Sequence, residues 1–223
     1  MPHADSLALP SDSLSKHEFY EHVCTVAEAL LAPASPTDPA ANWITVLSNA
    51  ASLLFGSYEN YGSKFGREDG RRVNWTGFYI TPSLMTRSPT SAAPSDPTQL
   101  LLGPFHGRPA CNSVSLRQAS PSRPVGVCAA SYLAQETVVV EDVNARPGHI
   151  ACDGVTQSEI VLPLTVRVRR MGGAGSGAGE EEEELKVGVL DIDCEGLATF
   201  DDEDKVGLEQ FVEVLKRVIR WDA

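Results

Sequence analysis

The segment VGVLDIDCE, residues 187–195, constrains the fold more than any other part of the sequence. Its apolar character favours a buried β-strand, in which successive side chains point to opposite faces of a sheet. Asp191 and Asp193 therefore share one face, while Leu190 and Ile192 serve the core. Because two neighbouring buried carboxylates are costly, their face must meet water or a cationic ligand. The segment therefore predicts a sheet with an apolar core against one face.

Helical and strand patterns surround this segment in an order typical of an α+β domain. Ser15 begins a first amphipathic helix with a capping box, and Asp38 begins a second helix that ends near Gly56. A short helix, GVCAASYLAQ, and a long C-terminal amphipathic helix complete the set. The predicted strands are RRVNWTGFYIT, TQLLLGPF, ETVVVEDV, EIVLPLTVRV and LKVGVLDIDCE. We predict one antiparallel sheet with helices against a face.

Three segments rich in Ser, Pro, Gly or Glu interrupt this pattern near residues 82–98, 113–125 and 171–184. Such compositions cannot bury a core. We therefore predict loop insertions within a single domain of residues 14–223, preceded by a disordered segment at residues 1–13. The acidic run from Glu180 to Glu184 predicts a solvated hairpin tip.

Composition excludes two classes of partner. The net charge of −12 argues against nucleic acid, whose phosphates need Lys and Arg. Apolar runs stay well short of the roughly 20 residues that a membrane helix needs, and the N-terminus lacks the basic and apolar regions of a secretory signal. We predict a cytoplasmic protein, with the nucleus as an alternative, in which thiols are kept reduced.

The five cysteines have neither a disulfide framework nor a zinc-binding pattern, because they are odd in number and form no CxxC pair. We therefore predict no metal and no cofactor. Cys24 and Cys194 read as small buried hydrophobes. Cys111, Cys128 and Cys152 follow small residues at the edges of predicted elements. For these three a structural role and a redox or nucleophilic role both stay open.

Two further groups of side chains accompany these thiols. Glu159 begins the strand next to the one that carries Asp191 and Asp193, so the three acids could converge. The alternative is a solvated sheet edge. Trp75 and Tyr79 lie four residues apart on a strand and share one face. They form either core or the wall of a pocket that grips a methyl group or a cation.

Six segments, taken in order, resemble the free methionine-(R)-sulfoxide reductases, in particular their eukaryotic microbial members. They are VNWTGFY, LLLGPFHGRPAC, VGVCAA, VEDVNARPGHIACD, SEIVLPL and VGVLDIDCEGLATFDDED, and the resemblance runs from about Tyr58 to the C-terminus. It implies a single GAF-like domain. In that domain, helices pack on one face of a central antiparallel sheet, and a small-ligand pocket lies under loops on the other.

The resemblance also implies roles for the three central thiols. Cys152 matches the thiol that attacks the substrate sulfur, and Cys111 matches its disulfide partner. Cys128 takes part in the thiol relay, and whether it or Cys152 attacks first stays open. The resemblance further implies that thioredoxin reduces the disulfide after each turnover and that the protein forms a homodimer.

The remaining matched positions surround the substrate. Trp75 and Tyr79 correspond to the aromatic wall of the family's pocket. Glu159, Asp191 and Asp193 correspond to the acids around the substrate.

The chemistry of sulfoxide reduction fits these residue types. A sulfoxide sulfur is a poor electrophile until its oxygen is protonated, which a carboxylic acid can do as a general acid. Repulsion among three clustered acids raises at least one pKa, and we predict Glu159 as the proton donor, either alone or sharing this role with Asp193. The ammonium group of a free amino acid would partly neutralise the acids, whereas a peptide-bound methionine has none. The resulting sulfenic acid on Cys152 condenses with Cys111, and a dithiol reopens the disulfide.

Two other functions remain compatible with the sequence. A non-catalytic GAF-type sensor would bind a small ligand without needing three thiols beside three acids. A peroxide-responsive redox switch would form its disulfide with peroxide alone and would not turn over methionine sulfoxide.

Overall fold

The computed structural model describes residues 13–35, 38–66, 70–85, 98–118, 124–150, 152–170, 181–219 and 221. Its helices are α1 (Lys16–Leu31), α2 (Trp43–Asn60), α3 (Gly62–Phe65), α4 (Pro82–Met85), α5 (Val127–Ala134) and α6 (Asp202–Val218), with a 3-10 turn at Pro39–Ala41. Its strands are β1 (Val73–Ile80), β2 (Gln99–Gly107), β3 (Ser113–Ser115), β4 (Val138–Val140), β5 (Ser158–Arg170) and β6 (Glu181–Cys194). Among the described helices, none combines the length and apolar character needed to cross a membrane.

The strands form one six-stranded antiparallel sheet in the order β3-β2-β1-β6-β5-β4. The predicted α+β architecture is thereby confirmed. Strand β6 lies between β1 and β5, so its side chains are flanked on both sides. In this register Asp193 is opposite Trp75 on β1 and Glu159 on β5. Asp191 is opposite Gly77 on β1, one step along the same face.

Helices α1, α2 and α6 cover one face of the sheet. Leu190 and Ile192 of β6 are fully buried there together with Phe78, Ile160 and Phe211. The large apolar core lies between this face and the helices. Its β6 residues are those that the alternation of side chains along the strand predicts to be buried.

Side-chain caps fix the start of α1 and α6. The predicted capping box of Ser15 is present, and Asp201 forms a second one at α6. The ammonium of Lys16 lies 2.7 Å from a carboxylate oxygen of Asp201 and 2.5 Å from one of Asp204. The two helix starts are therefore tied together by one cluster of charges, in which Asp204 is buried and Asp201 is exposed.

The opposite face carries a smaller apolar cluster and α5. Tyr79 of β1 and Val161 and Val189 of the central strands pack there against Tyr132 of α5. The short helix therefore lies on a different face from α1, α2 and α6. Its N-terminal end is left beside the polar residues of β5 and β6.

The start and end of α2 differ from the prediction. Asp38 caps the short 3-10 turn rather than α2, and Asn42 caps α2 by accepting a hydrogen bond from the Thr45 backbone. The helix continues past Gly56 to Asn60 because Gly56 lies inside a run whose apolar side chains pack on the sheet. A single glycine costs about 1 kcal/mol in a helix, which such packing readily offsets.

The predicted loop insertions are too long at their edges. Residues 82–85 form α4, 113–115 form β3, and 181–184 belong to β6. The remaining parts at 86–97, 119–123 and 171–180 lie outside the described residues, as do residues 1–12 of the predicted disordered segment.

Glu181 to Glu184 belong to strand β6 and not to the tip of the hairpin, contrary to the prediction, although the Glu184 side chain is solvent-exposed as predicted. These residues pair in register with the arginine-containing end of β5, with Arg167 opposite Glu184. The Nε atom of Arg167 lies 3.5 Å from a carboxylate oxygen of Glu184. Opposite charges across paired strands favour strand pairing over a loop. Glu180 itself lies outside the described residues.

Candidate active site

A pocket opens on the face of the sheet opposite to α1, α2 and α6. It is an open recess with about 530 Å³ of empty space, a figure that includes open solvent. Its walls come from β1, β3, β5, β6, the start of α5 and two loops. All predicted site residues except Trp75 line it, namely Tyr79, Cys111, Cys128, Cys152, Glu159, Asp191 and Asp193.

Three carboxyl groups form the floor of this pocket. Glu159 and Asp191 are 4% and 5% exposed, and the register places Asp193 beside Glu159. Burial raises the pKa of Asp191 to about 7. The pKa values of Glu159 and Asp193 are also raised well above the usual range. Burial is the larger cause, and repulsion from Asp191 is the next largest. The floor therefore retains protons at neutral pH and can donate one.

The Cys128 thiol lies directly against this floor. Its Sγ is 3.3 Å from Oδ2 of Asp191 and 3.8 Å from Oε1 of Glu159. A position in the first turn of α5 would favour a thiolate. Burial and the charges of Asp191 and Glu159 outweigh this effect and raise the pKa of Cys128 well above its usual value. Cys128 is therefore a protonated hydrogen-bond donor.

The other two central thiols form a separate pair at the pocket mouth. The Sγ atoms of Cys111 and Cys152 are 2.6 Å apart, and both cysteines are free. Burial of its sulfur, together with the hydrogen bond to Cys111, raises the pKa of Cys152 to about 12. The hydroxyl of Tyr79 donates to the Cys111 carbonyl at 3.1 Å. That bond holds the Cys111 segment over the pocket.

The loop that carries Cys152 is built around one carboxylate. Asp153 accepts hydrogen bonds of 2.9 Å from the backbone of Val155 and of Thr156. Asn74 of β1 donates to Asp153 at 2.9 Å and to Thr156 at 3.0 Å. Partial burial acts to raise the pKa of Asp153, but the backbone bonds outweigh it and the pKa is lowered. A charged Asp153 therefore fixes the turn next to Cys152 and ties it to the sheet.

His149 is a pocket residue that the site prediction missed. Its Nε2 lies 3.9 Å from Oε2 of Glu159, and the side chain lines the pocket. Burial and the nearby charge of Arg146 lower the pKa of His149, so the imidazole is neutral at pH 7. At this distance the imidazole and the carboxyl group are near each other but not hydrogen-bonded, so proton exchange between them would require a small approach of the two side chains. The available sequence signal was its position three residues before Cys152.

Trp75 does not line the pocket, contrary to its predicted place in the aromatic wall. Its indole is 2% exposed and stacks between the rings of Tyr79 and Phe105, at centroid distances of 5.9 and 5.7 Å. The indole lies flat over Gly77, where a Cβ atom would clash with it. Trp75 therefore packs against the Tyr79 ring outside the pocket, and of these two residues only Tyr79 lines the cavity.

The two cysteines predicted to be structural lie away from this cavity. Cys194, at the end of β6, is fully buried in the large core. Cys24 of α1 is partly buried and packs against the same core. Neither of them lines the pocket.

Comparison with known proteins relates the whole chain to one group. No protein-family model matches the sequence. It is 34% identical over 215 residues to the free methionine-R-sulfoxide reductase of Saccharomyces cerevisiae, covering 96% of this chain and 93% of that protein. A solved GAF domain superposes with a TM-score of 0.69 at 32% identity, covering 99% and 98% of the two chains.

A substrate complex is also similar. The free methionine-R-sulfoxide reductase of Neisseria meningitidis, solved with its substrate, superposes with a TM-score of 0.61 at 28% identity. The match covers 95% of this chain and 94% of that one. The similarity to these proteins therefore includes the segments that form the pocket.

Proposed function

Because the chain belongs to the free methionine-(R)-sulfoxide reductase family and has its GAF fold, we propose that this oxidoreductase reduces free L-methionine-(R)-sulfoxide to L-methionine. The observation that carries the proposal is the contact between the Cys111 and Cys152 sulfurs, 2.6 Å apart, at the mouth of the pocket that holds the acids. A thiol pair supplies two electrons, and an acid supplies the proton that the sulfoxide oxygen needs.

The acid floor supports a free amino acid as the substrate. An ammonium group placed near Glu159, Asp191 and Asp193 offsets the repulsion that keeps their pKa values high. Binding of this cation therefore favours release of protons from the floor, toward the sulfoxide oxygen. A methionine within a polypeptide has no ammonium group to contribute. The pocket thus selects the unattached metabolite by charge.

Reduction begins with attack of Cys152 on the substrate sulfur. A bond forms between the two sulfurs while the S–O bond breaks, and Glu159 protonates the departing oxygen, which leaves as water. Water then adds to the Cys152 sulfur and the S–S bond breaks, which releases methionine and leaves a sulfenic acid on Cys152. Attack requires the thiolate, whereas the pKa of Cys152 is about 12 in the unliganded pocket. Neutral His149 lines the same pocket as Cys152 and lies 3.9 Å from Glu159, and we assign to it the transfer of the thiol proton toward the acid floor.

The second step closes a disulfide. The Cys111 thiol attacks the sulfenic sulfur of Cys152, and the oxygen leaves as water. The two sulfurs are already in contact, so little displacement is required. An external dithiol then reduces the disulfide, and we propose thioredoxin for this role because Cys152 is exposed at the pocket mouth.

Cys128 has a different environment from the thiol pair, which favours a supporting role. It contacts Asp191 and Glu159 rather than a second sulfur. We assign it to holding the acids in place and to a later exchange in the thiol relay. The predicted homodimer and cytoplasmic location stay predictions.

The test is turnover with separated epimers. With thioredoxin, thioredoxin reductase and NADPH, we expect NADPH consumption with free L-methionine-(R)-sulfoxide and none with the S epimer. N-acetyl-methionine-(R)-sulfoxide, which lacks the ammonium group, is the matched control and should react poorly. Equal turnover of both epimers, or none with either, would reject the assignment.

The thiol contact also favours one competing function, a peroxide-responsive switch. Hydrogen peroxide can oxidise Cys152, and Cys111 can then close the disulfide without any sulfoxide. In that case mass spectrometry would show the disulfide after peroxide alone, and no methionine would form from methionine sulfoxide.

A further inference from the structure

One sulfur and two carboxylate oxygens converge at the pocket floor from three different elements. Cys128 comes from α5, Glu159 from β5 and Asp191 from β6. One ligand atom from each lies within 4.8 Å of the others, and all three residues are buried. A thiolate together with two carboxylates is a ligand set that metal ions bind.

The spacing of these atoms matches a tetrahedral metal centre. Zinc bonds of about 2.3 Å to sulfur and about 2.0–2.2 Å to oxygen, at tetrahedral angles, place neighbouring ligand atoms about 3.5 Å apart. The distances from Sγ of Cys128 to Asp191 and Glu159 are 3.3 and 3.8 Å. Small side-chain shifts therefore suffice to bring both oxygens and the sulfur onto one ion. The fourth position would point into the pocket.

An unsatisfied atom is the second indication of a cation. Oδ1 of Asp191 is buried and has no hydrogen-bond partner within the described part of the chain. Buried polar atoms without a partner in the protein are rare, and such an atom usually binds a ligand, a water molecule or an ion. A shared proton with Glu159 could satisfy the oxygen, and a divalent ion could do so while also compensating both carboxylates.

We infer that Cys128, Glu159 and Asp191 form a reversible inhibitory site for a divalent metal ion with zinc-like chemistry. The sulfur ligand disfavours Mg²⁺ and Ca²⁺, which take oxygen ligands, and favours Zn²⁺ or Co²⁺. The inhibitory effect rests on the proposed function, because the ion occupies the carboxylates that receive the substrate ammonium and protonate its oxygen. Binding itself requires no turnover.

This site differs from the zinc patterns that the sequence excludes. Those patterns place ligands a few residues apart, whereas Glu159 and Asp191 lie 31 and 63 residues from Cys128. Only the pairing of β5 with β6 and the packing of α5 bring the three together. The inferred site departs from the prediction of no metal, which rests on the spacing of the cysteines along the sequence alone.

Cobalt spectroscopy tests binding without any assay of activity. Co²⁺ held by a thiolate has a charge-transfer absorption band in the near ultraviolet. The reduced protein carrying Cys24→Ser, Cys111→Ser and Cys152→Ser keeps Cys128 as its only pocket thiol, and we expect it to show the band. Adding Cys128→Ser should abolish the band. Adding Asp191→Asn should weaken Co²⁺ binding by about tenfold or more. Mutating a residue that only hydrogen-bonds to a metal ligand already lowers metal affinity by about 10–100-fold, and Asp191 is proposed as a ligand itself.

Two results would overturn the site. The triple variant could lack the band while the wild type has it, which would place the metal on the Cys111–Cys152 pair. The band could instead survive Cys128→Ser, which would assign it to Cys194. Circular dichroism of each variant separates loss of a ligand from loss of the fold.

Inhibition is measured in a single turnover, which avoids the zinc-sensitive thiols of thioredoxin. The pre-reduced wild type should release methionine from methionine-(R)-sulfoxide, Zn²⁺ should stop this release, and EDTA should restore it. Full methionine release in saturating Zn²⁺ would overturn the inhibitory role. A cobalt band without any methionine release would instead reject the proposed reductase function while leaving the metal site in place.

Discussion

The sulfur atoms of Cys111 and Cys152 are in contact at 2.6 Å, although the two residues are 41 positions apart in the chain. Cys111 follows β2, and Cys152 belongs to the turn that Asp153 organises. The packing of these two segments over β1 therefore creates the pair. In the proposed mechanism, the oxidised Cys152 would therefore already lie beside the thiol that resolves it.

This contact predicts different defects for its two members. Cys152→Ser should abolish methionine release in a single turnover, because the attacking sulfur is lost. Cys111→Ser should still release about one methionine per protein and then stop, because no disulfide forms. Quantification of methionine from the pre-reduced protein measures both. Cys24→Ser, on a distant helix, is the control and should behave as the wild type.

The position of Cys128 predicts which thiol reacts first. Since Cys128 contacts Asp191 and Glu159 rather than the sulfur pair, Cys128→Ser should retain stoichiometric methionine release at a reduced rate. The same single-turnover measurement applies. Complete loss of release in Cys128→Ser, with release preserved in Cys152→Ser, would make Cys128 the attacking thiol.

The raised pKa of Glu159 predicts a rate effect that exceeds the binding effect. Glu159→Gln keeps the size and hydrogen bonding of the side chain but cannot donate an acidic proton. We expect kcat to fall by about 10²–10⁴-fold, the usual contribution of a general acid, with a smaller change in KM. Glu141→Gln, at an exposed position outside the pocket, should leave kcat unchanged. An unchanged kcat in Glu159→Gln would remove its role as proton donor.

The raised pKa of Asp191 predicts a dependence of stability on pH. Its pKa rises from about 3.9 in the unfolded chain to about 7 in the fold, so the folded state binds the extra proton between these values. The free energy of unfolding should therefore fall as pH rises from about 4 through 7. Asp191→Asn cannot ionise and should be the more stable protein at pH 8, by an amount on the order of a few kcal/mol.

Urea denaturation at pH 5 and pH 8, in the presence of EDTA, measures this difference. The expected result is a wild type that loses stability between the two pH values and a variant that loses less. Equal losses in both proteins would show that the Asp191 carboxyl is not protonated in the fold.

Strand alternation explains why the acids could be found from the sequence. It places Asp191 and Asp193 on the face opposite to Leu190 and Ile192, and the structure keeps that assignment. The same rule places Trp75 on the pocket face. It does not reveal that Gly77 leaves room for the indole to lie flat beneath Phe105, outside the cavity.

Loops and cross-strand partners explain what the sequence could not supply. His149 lies in a loop without any periodic pattern, and its position beside Glu159 depends on how that loop folds over β5. The acidic residues of β6 read as a loop because their partners on β5 are distant in the chain. In both cases the deciding contact is made only in the folded protein.

The placement of the acids on β6 and β5 has a consequence for how this pocket opens and how it can evolve. Central strands exchange their amide hydrogens only through global unfolding, whereas loops open locally at much lower free energy. The acids that we propose to bind the substrate ammonium therefore lie in the most stable part of the domain, whereas the loops that carry Cys111 and Cys152 can open locally, as the proposed reduction by an external dithiol requires. Lengthening the surface loops can then alter access and partners without displacing Asp191 or Asp193.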